Sequence, residues 1–286
     1  MYVSYWNLRE NPFQNVADTR FAYLSNQHKE GLARLLYLVE GKKLGGVLVG
    51  PYGVGKSMVL EMMAEKITEQ GVSRFFQVDA TPVGTLGVAQ QILNYLGFRE
   101  KVTDLASAMM ALQTALNNDD NRSKHLAIAI DEAQFLREAQ AFEFLHLLTN
   151  LRSPRKDGAH GETAVTLILA GHLDLLNMIS SEPSFCQRMQ LAWQLEPLNE
   201  SQTVEYVHHR MRAAGGDIWA FEEEALREVH HASHGIPRQI NNICDIALLL
   251  GCAAQAPKIG RELMQQAINE VNSPMLRGEA FQGARA

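Results

Sequence analysis

Up to residue 196, short and largely apolar runs alternate with longer segments in which apolar residues return every three or four positions. The runs at 46–49, 74–79, 126–130, 165–170 and 191–195 read as strands, and the segments at 55–70, 85–96, 104–116, 138–151 and 173–179 as helices. Strands of this continuous kind are buried on both faces, which predicts a mostly parallel sheet covered by helices on each side. After Pro197 the strand pattern stops. Helical spacing alone continues at 201–213, 222–233, 239–253 and 260–271, predicting a second, all-helical domain. Ahead of the first strand, Ser25 or Asn26 caps a helix over 28–40 whose apolar face is Leu32, Leu35, Leu36 and Val39. The expected division is 1–40 for an N-terminal element and helix, 41–196 for an α/β domain, 197–272 for the helical domain, and 273–286 for a flexible tail with Pro274, Gly278 and Gly283.

At 286 residues, 46% apolar and 20% charged, the chain has the make-up of an ordinary globular protein with a sizeable core. No run approaches the roughly 18 to 20 apolar residues of a membrane span, and the start lacks a basic region followed by an apolar one. No membrane span and a cytoplasmic location are expected. Cys186, Cys244 and Cys252 are odd in number, widely spaced and set in apolar helical surroundings. They read as reduced core thiols without metal-binding spacing. A net charge of −6 provides no general attraction to nucleic acid. A basic patch has to be local, and Arg152-Ser153-Pro154-Arg155-Lys156 is the candidate, against the simpler reading of a solvated loop.

The chemistry concentrates at the end of the first strand, where Gly50-Pro51-Tyr52-Gly53-Val54-Gly55-Lys56-Ser57 forms a complete G-x-x-x-x-G-K-S motif between a strand and a helix. Glycines let the backbone turn its N–H groups inward, and the helix that follows presents its positive dipole end, so phosphates are held there. Lys56 reaches the β- and γ-phosphates, and the Ser57 hydroxyl takes one position on a Mg²⁺. Met58 is counted with the loop and, with Met62 and Met63, is expected to pack behind it. Aromatic residues of the N-terminal element, Trp6, Phe13, Phe21 and Tyr23, either cover a nucleotide base or pack in the core. The run Leu126-Ala127-Ile128-Ala129-Ile130 delivers Asp131 and Glu132 at a strand end. Consecutive side chains leave a strand in different directions, so Asp131 faces the Mg²⁺ while Glu132 faces a water in line with the γ-phosphate. The histidines His230, His231 and His234 lack the glutamate of a zinc-protease motif and read as polar surface of a helix.

The order of these parts, followed by Leu195-Glu196-Pro197-Leu198 and Gly235-Ile236-Pro237-Arg238-Gln239-Ile240-Asn241, resembles an AAA+ ATPase. More narrowly it is similar to the ExeA or general-secretion-pathway A type. The grounds are Asn11-Pro12-Phe13, Ser25-Asn26-Gln27-His28-Lys29-Glu30-Gly31-Leu32-Ala33-Arg34-Leu35, Leu147-Leu148-Thr149-Asn150-Leu151 and Tyr206-Val207-His208-His209-Arg210-Met211, which together span nearly the whole chain. The resemblance implies a P-loop three-layer α/β sandwich with strand order 5-1-4-3-2, an all-helical lid, ATP and Mg²⁺ as cofactors, and hydrolysis of ATP. It also implies three further site residues. His172, after Ala170-Gly171, stands where the family senses the γ-phosphate, in place of a glutamine or another amide. Protonation of an imidazole near pH 6.5 changes its donors, so sensing there is expected to be pH-sensitive; a surface histidine is the other reading. Arg188 is the candidate finger for a neighbouring subunit, against an internal salt bridge, and Arg238 starts a lid helix that reads the γ-phosphate.

The partners implied are further copies of the chain in ATP and a protein component of secretion or the cell envelope. The long secretion proteins carry a membrane segment and a cell-wall-binding domain after the ATPase, and neither is expected here. The alternative is an ATP-switched DNA-binding regulator like the transposition ATPases of the TniB and phage Mu B type. A small-molecule phosphotransferase is the third class, disfavoured by Asp131-Glu132 and by the segment around Arg238.

Overall fold

The computed structural model describes residues 2–71, 73–81, 83–118, 125–138, 140–153 and 161–273. The chain divides into two compact units. One comprises Asn26–Pro51 and Lys56–Leu195; the other comprises Met1–Ser25, Tyr52–Gly55 and Glu196–Ala286. The first 40 residues therefore separate, an N-terminal arm joining the helical unit while the helix that follows joins the sheet. The expectations attached to Pro154, Arg155, Lys156 and the tail beyond Ser273 lie outside the described residues.

In chain order, α1 is Tyr2–Tyr5, α2 Asn26–Glu40, β1 Gly45–Val49, α3 Lys56–Gln70, β2 Ser73–Asp79, α4 Gly84–Tyr95, α5 Leu105–Asn117 and β3 His125–Asp131. There follow α6 Ala141–Asn150, a two-residue ribbon of β4 Arg152–Ser153 and β5 Glu162–Thr163, β6 Val165–Gly171, α7 Asp174–Ser180, α8 Pro183–Cys186 and β7 Leu191–Gln194. Four α-helices follow among the described residues: α9 Glu200–Ala213, α10 Glu223–Ser233, α11 Pro237–Ala253 and α12 Arg261–Val271.

The five long strands form one sheet in the order β2-β3-β6-β1-β7, with every pairing parallel. Numbered among themselves, this is the order 5-1-4-3-2 read from the opposite edge. Alternation along the strands separates the two helical layers. Val47, Val49, Leu126, Ile128, Ile130, Leu167 and Leu169 share a core with Val88, Ile92, Leu112, Phe144, Leu148 and Phe185, which come from α4, α5, α6 and α8. The intervening positions Leu48, Ala127, Ala129 and Ile168 belong to the opposite face, toward α2 and α3. That layer approaches closely: a Cβ on Gly46 would fall 2.3 Å from Leu38 Cδ1 and 3.0 Å from the Leu191 carbonyl oxygen, so a larger residue forces the packing beneath α2 to shift.

The helical unit has its own core, in which Val207, Met211, Ile240, Cys244, Leu248 and Met264 meet Trp6, Leu8, Phe13 and Phe21 of the arm. Trp6 donates its indole N–H to the Leu248 carbonyl at 2.9 Å, and Phe13 meets Phe221 edge to face at 6.0 Å. Of the alternatives for Trp6, Phe13 and Phe21, core packing is the one these contacts describe. Asn199 and Gln202 close a capping box on α9, and Pro237 opens α11.

Several expectations need correction. Cys244 is buried as expected, but Cys186 is exposed and Cys252 half-buried, because α8 is a single turn and Cys252 lies in the last turn of α11. The helix expected over about 138–151 runs from Ala141 to Asn150, and ahead of it the Glu138 carboxylate accepts from the Thr85 amide and hydroxyl at 3.1 and 2.7 Å. Of the three histidines expected on a helix surface, His234 lies just past α10 as its C-cap in the left-handed conformation, φ 51°, while His230 Nδ1 lies 3.0 Å from the Thr203 hydroxyl.

Candidate functional site

The sheet delivers its candidate residues at the C-terminal ends of β1, β3 and β6, three neighbouring strands. The loop after β1 turns through two left-handed glycines, Gly53 at φ +79° and Gly55 at φ +110°, conformations that side-chain-bearing residues rarely adopt. Lys56 opens α3 and is 5% exposed, with its ammonium donating to the carbonyls of Gly50 at 2.9 Å and Pro51 at 3.1 Å. A buried ammonium held by two carbonyls of its own loop is positioned where the motif wants positive charge. Val54 is fully buried, Met58 half-buried and Tyr52 exposed.

Ser57, one residue on, donates its hydroxyl to Asp131 Oδ2 at 2.7 Å. The other carboxylate oxygen of Asp131 accepts the backbone N–H of Glu132 at 2.9 Å. Glu132 itself is left-handed, with φ 52° and ψ 35°. This non-glycine outlier turns the second carboxylate away from the first, so the two adjacent acids face different neighbours. Glu132 Oε2 accepts from the side-chain amide of Gln134, and Gln134 Oε1 in turn accepts the backbone N–H of His172 at 3.0 Å. His172 Nδ1 lies 3.2 Å from Asp174 Oδ2.

The two candidate arginines sit differently. Arg188, half-buried after α8, donates to the Thr149 hydroxyl at 3.2 Å, and the Thr149 hydroxyl donates to the His146 carbonyl at 2.7 Å. Burial first, and then the Arg188 cation, hold the His146 imidazole below its ordinary pKa. Within the helical unit, the Arg238 backbone N–H donates to the Gly53 carbonyl at 3.2 Å, and its side chain is exposed. A Cβ on Gly53 would fall 2.6 Å from the Arg238 Cβ. Sequence reasoning named every residue of the Ser57–Asp131–Glu132 arrangement but gave no role to Gln134, Thr149 or Asp174. The signal for Gln134 is its place in the run Asp131-Glu132-Ala133-Gln134, which belongs to the motif that carries the family resemblance.

Residues 39–179 match the family model for the AAA domain, and the match takes in the whole loop, Asp131, Glu132, Gln134 and His172. The chain carries an AAA domain. The chain is 30% identical over 267 residues to General secretion pathway protein A of Aeromonas hydrophila, which covers 91% of this chain and 46% of that relative. Less than half of the relative's length is therefore spanned. Among solved structures, the Aeropyrum pernix ORC1 protein in complex with DNA superimposes with a TM-score of 0.72 at 16% identity, covering 95% of this chain and 71% of that one. Cdc6p from Pyrobaculum aerophilum gives 0.70 at 16% identity, covering 92% and 74%. The RuvB branch-migration motor of Thermotoga maritima gives 0.57 at 17%, covering 87% and 70%. These likenesses establish the AAA+ P-loop fold with its parallel sheet and helical C-terminal region. Arg188 and Arg238 lie beyond the residues that match the AAA domain.

Proposed function

We propose that this AAA domain binds ATP with Mg²⁺ and hydrolyses it, and that the resulting conformational cycle assembles or remodels a partner complex. The observation that carries this reading is the 2.7 Å bond from the Ser57 hydroxyl to Asp131, which joins the end of the phosphate-loop motif to the end of β3. A hydroxyl and a carboxylate make a hard, all-oxygen donor pair. Among the described residues no group of three or more His, Cys, Asp or Glu stands together, so a divalent ion there completes its shell with phosphate oxygens and water, as Mg²⁺ does. When bound, Mg²⁺ supplies neutralisation of the phosphate charge.

The chain's own residues do the rest. The backbone N–H groups of Gly50 to Ser57 and the Lys56 ammonium bind phosphate oxygens, Lys56 exchanging its two carbonyls for them. Glu132 orients the attacking water and takes up its proton. His172 reads the γ-phosphate, with Asp174 holding its ring. Arg188 leaves Thr149 to reach the nucleotide of a neighbouring copy, and Arg238 reports nucleotide occupancy to the helical unit. Self-association in ATP follows from that finger role; the partner is a component of secretion, as the relative's name suggests, or of the cell envelope.

Phosphate release measured against protein concentration, with sizing in ATP, tests this reading. Wild-type specific activity rises with concentration; Glu132→Gln and Arg188→Ala lose turnover, while Glu132→Gln still binds ATP and assembles. Constant specific activity, or full turnover in Arg188→Ala, contradicts the assembly. The second reading is ATP-switched DNA binding, favoured by the likeness to the ORC1 protein solved in complex with DNA and opposed by the net charge of −6. ATP-dependent DNA binding that falls steeply with salt would support it, and absence of binding at low salt would remove it.

A further inference from the structure

We infer that Gln134 is a positioning residue that ties the orientation of Glu132 to the end of β6, an inference that rests on the ATPase reading above. Gln134 is 2% exposed, and both ends of its amide are used across two strands. Nε2 donates to Glu132 Oε2 just after β3; Oε1 accepts the His172 N–H at 3.0 Å just after β6. The arrangement has a direction. Flipping the amide would set an oxygen against the Glu132 carboxylate and an NH₂ against a backbone N–H, so neither bond survives the exchange.

The fold reserves room for this link. A Cβ on Gly171 would fall 2.3 Å from Gln134 Oε1, so the last residue of β6 has to be glycine for the amide to reach His172. On the other side, the 3-10 turn Ala133–Phe135 carries Gln134, and Arg137 Nε donates to its carbonyl at 3.3 Å. The left-handed Glu132 completes the geometry by turning its carboxylate to Gln134 rather than alongside Asp131. A displacement of His172 relative to β3 therefore cannot occur without moving the Glu132 carboxylate or breaking a buried hydrogen bond. Gln134 makes the γ-phosphate reader and the water-orienting acid one mechanical unit.

Two variants test this. Gln134→Leu keeps the size and has neither polar group; Gln134→Glu keeps an acceptor for His172 and sets a second carboxylate against Glu132. Both are expected to hold ATP within about threefold of wild type, since Gln134 is assigned no contact with nucleotide. Gln134→Leu is expected to lose about tenfold or more in kcat with KM unchanged. Gln134→Glu also loses the donor to Glu132, so its kcat is expected to fall by about tenfold or more with KM unchanged. Amide exchange at His172 in nucleotide-free protein accelerates in Gln134→Leu and stays protected in Gln134→Glu. That last readout needs no turnover, so a wild type that releases no phosphate would defeat the ATPase reading and still leave the link tested. Wild-type kcat in either variant, parallel loss of ATP affinity and turnover in both, or unchanged exchange at His172 in Gln134→Leu would each overturn the inference.

Discussion

Replacing Arg210 by alanine is expected to loosen the N-terminal arm from the helical unit. The side chain is 3% exposed; Nε donates to the Pro12 carbonyl and Nη2 to the Gln14 carbonyl at 2.8 Å. The Arg210 Cζ atom lies 4.9 Å from the Phe21 ring centre and 5.8 Å from that of Tyr206. These contributions are unequal. Gln14 is exposed, so water replaces its lost donor at little cost. Pro12 is buried, and leaving its carbonyl without a donor costs about 1–3 kcal/mol. Taking the cation away from two rings adds about 0.5–2 kcal/mol. Relief of the guanidinium's own desolvation works in the other direction, leaving a net loss of about 1–4 kcal/mol. Arg210→Lys retains charge, but a single ammonium cannot serve both carbonyls and lie flat on the rings, so its loss is intermediate. Urea unfolding followed by tryptophan fluorescence reads the change, with Trp6 as the reporter in the arm, and limited proteolysis locates it. A stability within about 0.5 kcal/mol of wild type, with no new cleavage in Met1–Ser25, would refute the reasoning.

Two further outcomes follow from single sites. Gly53→Ala forces a side chain into a left-handed position at φ +79° and against the Arg238 Cβ 2.6 Å away. The conformation alone costs about 1–2 kcal/mol, so ATP affinity measured by calorimetry should fall about tenfold or more; unchanged affinity would exclude that strain. His125 is buried at the start of β3, its ring nitrogens facing the Thr163 carbonyl at 3.0 Å and the Thr166 hydroxyl at 2.8 Å. Burial first, with the Lys42 charge adding to it, lowers its pKa below the ordinary 6.5, against the opposing Thr163 bond. A lowered base pKa means that the unfolded chain binds protons first. Stability should therefore be level above the unfolded value, fall as pH drops through about 6.5, and level off again below the folded pKa. His125→Asn should shallow that fall in pH-dependent urea titrations; an identical slope would assign the loss to His146, His208 and His209, whose pKa values burial also lowers.

What the sequence reveals depends on how local the cause is. The phosphate loop is legible because glycine, lysine and serine act within eight consecutive positions, and the strands because β3 and β6 are buried along their whole length. The strand order came from family resemblance rather than from any residue pattern. Arg210 shows where reading stops. Asn11-Pro12-Phe13 and Tyr206-Val207-His208-His209-Arg210-Met211 stand out as separate fragments, but nothing in either says that the guanidinium of one donates to the proline carbonyl of the other. Gln134 is the same problem at closer range: its neighbour Glu132 is local, while its acceptor role toward His172 needs β3 and β6 side by side. Cys186 was misplaced because its apolar neighbours belong to a one-turn helix of which only Phe185 is buried.

In the function proposed for this chain, Ser57 and Asp131 together form the metal side of an ATPase site. Phosphate release by wild type and Asp131→Asn, each with Mg²⁺ and with a chelator, tests it most directly when ATP affinity is measured in parallel. Turnover is expected to depend on Mg²⁺ in wild type and to fall by about a hundredfold or more in Asp131→Asn, with ATP affinity in the chelator nearly equal for the two. Equal turnover in Asp131→Asn, or a wild type that releases no phosphate with Mg²⁺ present, would contradict it.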